Sequence, residues 1–454
     1  MFLKNNVNIF ENLIALFIIK KINFEVYMNI ETKCLHSGYY PENSEPRVVP
    51  IVQSTTYRFD STEHIADIFD DPTKGLIYSR FANPTCDAVE KKIAALEGGV
   101  AAMLTSSGQA ASLCSILNIC SAGDSFISAS SIYGGTVNLF GVTMKKFGIE
   151  CIWVDGNASE EEIQKAFKPN TKAVFGETLA NPALQVCDIE KFARIAHKNY
   201  VPLIIDNTFP TPILCRPIEY GADIVIHSTS KYMDGHAIQI GGVIVDSGNF
   251  NWEKAYEKTG KFADFVEPDE SYHGLVYTKK YGNLAYILKA RMQLMRDFGC
   301  YPSAHSAFLL NLGLETLAVR MKQYCENALT VAKYFEKRTD KIERVNYPAL
   351  KNDKYYELAK KYLKDGCSGV ITFSIKGGRS AAVRFMDGLK LASNVVHVAD
   401  IRTCVLHPAA ETHRQLTDEQ LTAAGIDGGM IRFSCGLENV EDIISDIEQA
   451  LNNV

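Results

Sequence analysis

From about residue 83 to residue 246, short apolar runs that end in polar groups alternate with stretches of helical spacing. Residues 101–105, 125–129, 151–154, 173–178, 202–206, 224–227 and 242–246 read as strands. Runs of this length with polar ends suit strands buried in a parallel sheet. Between them, residues 86–97 place Val89, Ile93 and Leu96 on one helical face, behind a turn and capping signal at Asn83-Pro84-Thr85. Residues 110–120, 136–147, 160–167 and 189–198 repeat the helical pattern. Strands alternating with helices predict an α/β fold with a mostly parallel central sheet. Sites in such folds gather at the carboxyl ends of the strands.

Elsewhere the pattern changes. Residues 28–82 are polar, rich in Pro and Tyr and weakly periodic, which predicts an extended arm. Residues 250–283 show no period and read as a binding loop or lid. Helical spacing resumes from Tyr286 to about Arg338. Strands at 369–375 and 430–435, with helices at 380–388 and 440–451, predict a smaller α+β carboxyl-terminal domain. Residues 1–27 differ from everything that follows. Their apolar stretch, 13–19, is too short to span a bilayer, and no small-residue cleavage signal follows it. They read as a non-native or disordered extension, with Met28 as the expected start. The expected division is therefore 1–27 extension, 28–82 arm, 83–302 main domain and 303–454 carboxyl-terminal domain.

Composition narrows the classes. A chain of 454 residues with net charge −6 and no basic stripe does not predict nucleic-acid binding, and no stretch predicts a membrane span. The 12 cysteines are scattered without a CxxC, so they read as core thiols of a reduced, cytoplasmic protein. His407 and His413 flank Pro408 at a spacing that suits no helical ligand pair, so no metal site is expected.

The candidate chemistry sits at two strand ends. Asp206 and Lys231 each follow an apolar run, and adjacent strands would bring them together. An acid and a lysine so placed are what pyridoxal phosphate (PLP) requires: the amine links to the aldehyde, and the carboxylate keeps the pyridine nitrogen protonated. Ser228, Thr229 and Ser230 add small hydroxyls suited to a phosphate. Ser107-Gly108-Gln109 stands where a strand feeds a helix, and N–H groups at a helix start attract anions. Tyr133, at the start of a Tyr-Gly-Gly-Thr run, can stack on a pyridine ring. Tyr78 and Arg80 offer a phosphate a donor and a guanidinium fork. Asn181 offers a donor to a ring hydroxyl. Arg432 lies inside an apolar strand, where burial is costly without an anionic partner. A GxGxxG dinucleotide fingerprint is absent from the strand-to-helix turn at 106–110.

Together these fragments, with Asn83-Pro84-Thr85, Glu177-Thr178, Asn181-Pro182, Asp206-Asn207-Thr208 and His407-Pro408-Ala409, resemble the PLP-dependent enzymes of cysteine and methionine metabolism. The resemblance runs from about Glu31 to the carboxyl end. It implies the aspartate-aminotransferase-like fold (fold type I) and a PLP cofactor on Lys231. It also implies Asp206 at the pyridinium nitrogen and Tyr133 on the ring. Gly108, Gln109, Ser228 and Ser230 would hold the phosphate, joined across a subunit interface by Tyr78 and Arg80. Arg432, helped by Asn181, would take the substrate carboxylate. A homotetramer built as a dimer of dimers, with shared sites, is implied as well. The loop at 267–274 and the run Val398-Ala399-Asp400-Ile401-Arg402 look most like the O-acetylhomoserine sulfhydrylase branch, and Gly135 stands where methionine γ-lyases carry Cys. That branch transfers the carbon chain of O-acetylhomoserine to sulfide or a thiol, giving homocysteine or methionine and acetate. Methionine γ-lyase or cystathionine γ-synthase is the alternative within the family. A non-catalytic protein on the same fold is the alternative outside it.

Overall fold

The computed structural model describes residues 27–411 and 427–454. The expected extension lies outside these residues apart from Tyr27. Seven strands form the main sheet: β1 (Ala101–Thr105), β2 (Ser125–Ala129), β3 (Glu150–Val154), β4 (Thr171–Glu177), β5 (Leu203–Asp206), β6 (Ile224–Ser228) and β7 (Gly242–Asp246). Their order is β1-β7-β6-β5-β4-β2-β3. The neighbours from β6 to β3 run parallel, whereas β7 is antiparallel to both β1 and β6. The expected mostly parallel sheet is therefore present, with residues 242–246 as its reversed member. Every residue of β2 and β7 is buried, as strands covered on both faces require.

Local chemistry explains the helix boundaries. Asn83 accepts from the Thr85 N–H, Pro84 fills the first turn, and Gly98 closes the helix Pro84–Glu97 with a left-handed φ of 79°. The helix expected from residue 110 starts at Gly108, because the Ser107 hydroxyl accepts from the Ala110 N–H at 3.1 Å. The single helix expected over 136–147 is instead an α-helical stretch Gly134–Asn138, a widened turn Leu139–Thr143 and a second α-helical stretch Met144–Lys146.

A second sheet holds β8 (Ile342–Asn346), β9 (Val370–Ile375), β10 (Ser393–Asn394), β11 (Cys404–Leu406) and β12 (Met430–Ser434), in the order β10-β11-β12-β9-β8. The helices Gly378–Gly388 and Val440–Leu451 pack on each other beside it. The sequence pattern predicts β9 and β12 but not β8, β10 or β11.

Residues 250–283 depart from the irregular loop the pattern predicts. They form the helices Trp252–Thr259, Ala263–Val266 and Tyr277–Tyr281. Trp252 stacks on Phe265 with ring centroids 4.3 Å apart, and Tyr286 lies parallel to both rings. This aromatic stack buries the segment against the main body, so helical periodicity is not needed to order it. In the arm, the helix Ile30–His36 packs on Pro84–Glu97 and buries Cys34. Among the described residues no helix is long and apolar enough to cross a membrane.

Candidate active site

The carboxyl ends of β4, β5 and β6 open into a cavity of about 570 Å³. Strand register puts Glu177 beside Asp206 and Asp206 beside Ile226, and Lys231 follows three residues after β6 ends. Ser107, Gly108 and Gln109 line one side of the cavity, and Val396, His397 and Arg432 approach from the second sheet.

Asp206 is held by its own turn. Its Oδ1 accepts from the Thr208 N–H at 3.0 Å and from the Thr208 hydroxyl at 2.5 Å, and that hydroxyl accepts from the Ser228 N–H at 2.9 Å. The same threonine therefore locks the ends of β5 and β6 together. Oδ2 accepts no hydrogen bond from the described residues. Burial raises the Asp206 pKa, and the Thr208 hydrogen bonds oppose that rise. Its neighbour Glu177 is pushed well above the usual carboxylate range, by burial first and then by Asp206. Glu177 Oε2 accepts from the Tyr133 N–H at 2.6 Å, which fixes the loop that carries the Tyr133 ring. That ring is half-exposed.

Among the described residues the Lys231 amine has one hydrogen-bond partner, the His397 Nδ1 at 3.4 Å. Burial, reinforced by the Arg432 cation, lowers its pKa to about 8. Arg432 is only 6% exposed. Its guanidinium donates to the carbonyls of Val396 (3.3 Å) and His397 (3.0 Å) and to Asn181 Oδ1 (3.4 Å). Among the described residues it has no carboxylate partner within salt-bridge distance.

Glycine is required at Gly108, and at Gly135 an added side chain would have to displace its neighbours. A Cβ on Gly108 would lie 2.6 Å from Ser228 Cβ, so the helix start can press on the end of β6 only without a side chain. A Cβ on Gly135 would lie 2.6 Å from Tyr133 Cε1 and 2.9 Å from Gln109 Nε2. The Ser230 hydroxyl accepts from the Gly241 N–H at 2.9 Å and so also secures the loop before β7.

Nine of the eleven expected site residues thus line one cavity: Gly108, Gln109, Tyr133, Asn181, Asp206, Ser228, Ser230, Lys231 and Arg432. Tyr78 and Arg80 do not. They lie in the arm, with the Arg80 guanidinium 5.0 Å from the centre of the Tyr78 ring. Of the cavity residues not singled out from sequence, three shape its chemistry. Thr208 had a readable signal, a hydroxyl two residues after an Asp at a strand end. Glu177 was visible only as part of a motif. His397 carried no local signal, because it stands between two strands the pattern does not reveal.

The donor set fits PLP. A nucleophilic amine of lowered pKa, a carboxylate with an uncommitted oxygen and the open N–H groups of the helix Gly108–Leu117 surround one space. These groups can take an aldehyde, a pyridine nitrogen and a phosphate.

Known proteins resemble the chain along nearly its whole length. An O-acetyl-L-homoserine sulfhydrylase of Leptospira meyeri is 45% identical over 434 residues, 93% of this chain and 97% of that protein. A homocysteine/cysteine synthase of Saccharomyces cerevisiae is 42% identical over 440 residues, 94% of this chain and 98% of that protein. A crystal structure from Campylobacter jejuni, which contains N'-pyridoxyl-lysine-5'-monophosphate, superposes with a TM-score of 0.89 at 37% identity, covering 94% of this chain and 100% of that one. The family model for Cys/Met metabolism PLP-dependent enzymes matches residues 31–452, and the chain belongs to that family, with its fold type I architecture and its PLP cofactor.

Proposed function

We propose that the protein catalyses γ-replacement on O-acetylhomoserine, with sulfide or a small thiol as nucleophile, giving homocysteine or methionine and acetate. The observation that carries this reading is the pairing, in one cavity, of the Lys231 amine with a buried Arg432 that has no carboxylate partner among the described residues. The two groups match the Cα proton and the α-carboxylate of an amino acid. The names of the L. meyeri and S. cerevisiae relatives support sulfur as the nucleophile.

When bound, PLP supplies an electron sink next to Cα. Lys231 anchors the coenzyme and, once the substrate amine displaces it, moves the Cα proton on Nζ. A pKa of about 8 leaves part of the amine neutral near neutral pH. Asp206 presents its free oxygen to the pyridine nitrogen and holds a proton there. Gly108, Gln109, Ser228 and Ser230 bind the phosphate, and Tyr133 covers the ring and shields it from water. Arg432 and Asn181 orient the α-carboxylate. Tyr78 and Arg80 stand away from their own cavity, and we assign them to the phosphate of a neighbouring subunit in a homotetramer of two dimers. The 12 free cysteines support a cytoplasmic setting.

A product assay on O-acetylhomoserine with sulfide, methanethiol and cysteine as competing acceptors tests the reading. Homocysteine with sulfide and methionine with methanethiol are expected. Release of 2-oxobutyrate and ammonia at the same rate without an acceptor would replace it with a γ-lyase. Cystathionine as the main product would replace it with a synthase.

A further inference from the structure

Asp206 and Ser228 end adjacent strands and face the cavity. Side chains alternate along a strand, so the residues beside them in the chain, Asn207 and His227, turn to the opposite face of the sheet. There they meet Glu97, the last residue of the helix Pro84–Glu97. Glu97 Oε1 lies 2.6 Å from His227 Nε2 and accepts from Asn207 Nδ2 at 3.0 Å, and the same Nδ2 donates to the Cys215 carbonyl at 2.8 Å. The side chains of Glu97 and His227 are fully buried. A buried ion pair is often no more stabilising than apolar side chains of the same volume. Stability is therefore a weak reason for one directly behind the strand ends that face the coenzyme.

Hydrogen-bond accounting points to the charge on the ring. Glu97 Oε2, Asn207 Oδ1 and His227 Nδ1 are buried and have no partner among the described residues. The carboxylate and amide oxygens can only accept. A neutral ring donating from Nε2 would add a third bare acceptor and leave Glu97 as an uncompensated buried anion. A ring protonated on both nitrogens turns Nδ1 into a donor and balances the carboxylate. Glu97 Oε1 accepts from two groups, as a carboxylate oxygen does.

We propose that Glu97 and His227 form a buried ion pair whose imidazolium keeps Asp206 ionised, so that the proton between Asp206 and the pyridine nitrogen rests on the nitrogen. Neither residue touches the coenzyme; both are positioning residues that act through Asp206. A cation behind the carboxylate repels a proton from it, towards the ring. Burial raises the Asp206 pKa, and the Thr208 hydroxyl and then the His227 charge work against that rise. The other titratable groups on these elements do not bring a cation. Glu177, beside Asp206 on β4, is an acid pushed well above the usual carboxylate range, and the Cys215 thiol is pushed well above its own range by burial and by Glu97. Lys231 faces the cavity and is committed to the coenzyme. The inference rests on the proposed place of Asp206 at the pyridine nitrogen, not on sulfur as the nucleophile.

His227→Gln alone would strand a buried carboxylate. Glu97→Gln/His227→Gln instead removes both charges and puts two amides, which can still hydrogen-bond, in place of the ion pair. In coenzyme-free protein, infrared difference spectra on acidification should show the acid carbonyl band of Asp206, identified by its absence in Asp206→Asn. Its midpoint should lie about 0.5–1 pH unit higher in the double variant than in the wild type, because loss of a nearby cation favours the protonated acid. An unmoved or lowered midpoint overturns the proposal. Cα exchange of L-norvaline into heavy water gives a second reading. The double variant should slow it by about three- to tenfold, up to the equivalent of one pKa unit, while Asp206 is present. In an Asp206→Asn background it should change nothing, since the effect passes through that carboxylate. Equal slowing in both backgrounds would mark the pair as structural and overturn the proposal. Neutron diffraction from wild-type crystals needs no variant to fold. Deuterium is expected on both His227 ring nitrogens, and a bare ring nitrogen refutes the ion pair. Asp206→Asn protein that exchanges Cα as fast as the wild type refutes the place of Asp206 at the pyridine nitrogen, and this inference with it. Slow exchange in Asp206→Asn, beside a wild-type midpoint in the double variant, refutes this inference alone.

Discussion

The Lys231 amine has an ordinary covalent structure in an unusual setting. Because its pKa is lowered to about 8, its neutral fraction should level off above that pH rather than climb towards the usual lysine range. Coenzyme-free protein mixed with PLP should therefore capture it faster as pH rises to about 8, with little gain beyond. Stopped-flow absorbance measures this, and a rate still climbing steeply at pH 10 would show an unshifted lysine. Lys231→Ala should keep the fold and lose turnover, and borohydride should then trap no coenzyme on the protein. Asp206→Asn should retain the coenzyme but slow Cα exchange into heavy water by about 100-fold or more, because an amide cannot hold the ring nitrogen protonated. Arg432→Ala should raise KM by the equivalent of about 2–5 kcal/mol, the usual cost of breaking a buried charge pair. Binding of a substrate analogue without the α-carboxylate should be nearly unchanged. A steep fall in melting temperature, with both affinities dropping together, would mark Arg432 as structural instead.

Asp206, Lys231 and Arg432 are legible in the sequence because each is a polar residue that interrupts or ends an apolar run, where burial makes it costly. Glu177 ends a run in the same way, but its meaning depends on Asp206 one strand over and on the Tyr133 N–H, both distant in sequence. His397 depends entirely on a contact with the other sheet.

Among the elements, the junction between the helix Gly108–Leu117 and the end of β6 is the tightest part of the site. Gly108→Ala should drive the helix start away from Ser228, because the added Cβ would also stand 2.9 Å from the Ser228 Cα. Overpacking of this kind costs about 1–3 kcal/mol. Thermal unfolding of coenzyme-free protein should register the loss, and coenzyme affinity should fall with it. Unchanged affinity would show that the helix start does not hold the phosphate. The strands and helices of the main sheet were largely readable, since burial on both faces leaves a plain apolar signature. The short strands β10 and β11 were not, because two or three residues carry no period. The segment 250–283 misled the sequence reading for a different reason: its order comes from the Trp252, Phe265 and Tyr286 stack rather than from an amphipathic pattern.

For the whole molecule, the separation of Arg80 from its own cavity sets a test of shared sites. Arg80→Ala and Lys231→Ala proteins, each impaired alone, should recover part of their activity when mixed under conditions that exchange subunits. One hybrid site then holds both residues. Proven exchange without recovery would confine Arg80 to its own subunit. Sedimentation should give the mass of four chains.

The cavity walls belong to two sheets: Asp206 and Lys231 follow strands of one, while His397 and Arg432 come from the other. A molecule gripped from both sides binds only when both are folded. Its binding free energy is withheld from any state in which one sheet has opened. Opening either sheet alone then forfeits the whole binding free energy, as complete unfolding does. The loaded site thus acts as a cooperative clasp, drawing separate melting events into a single transition.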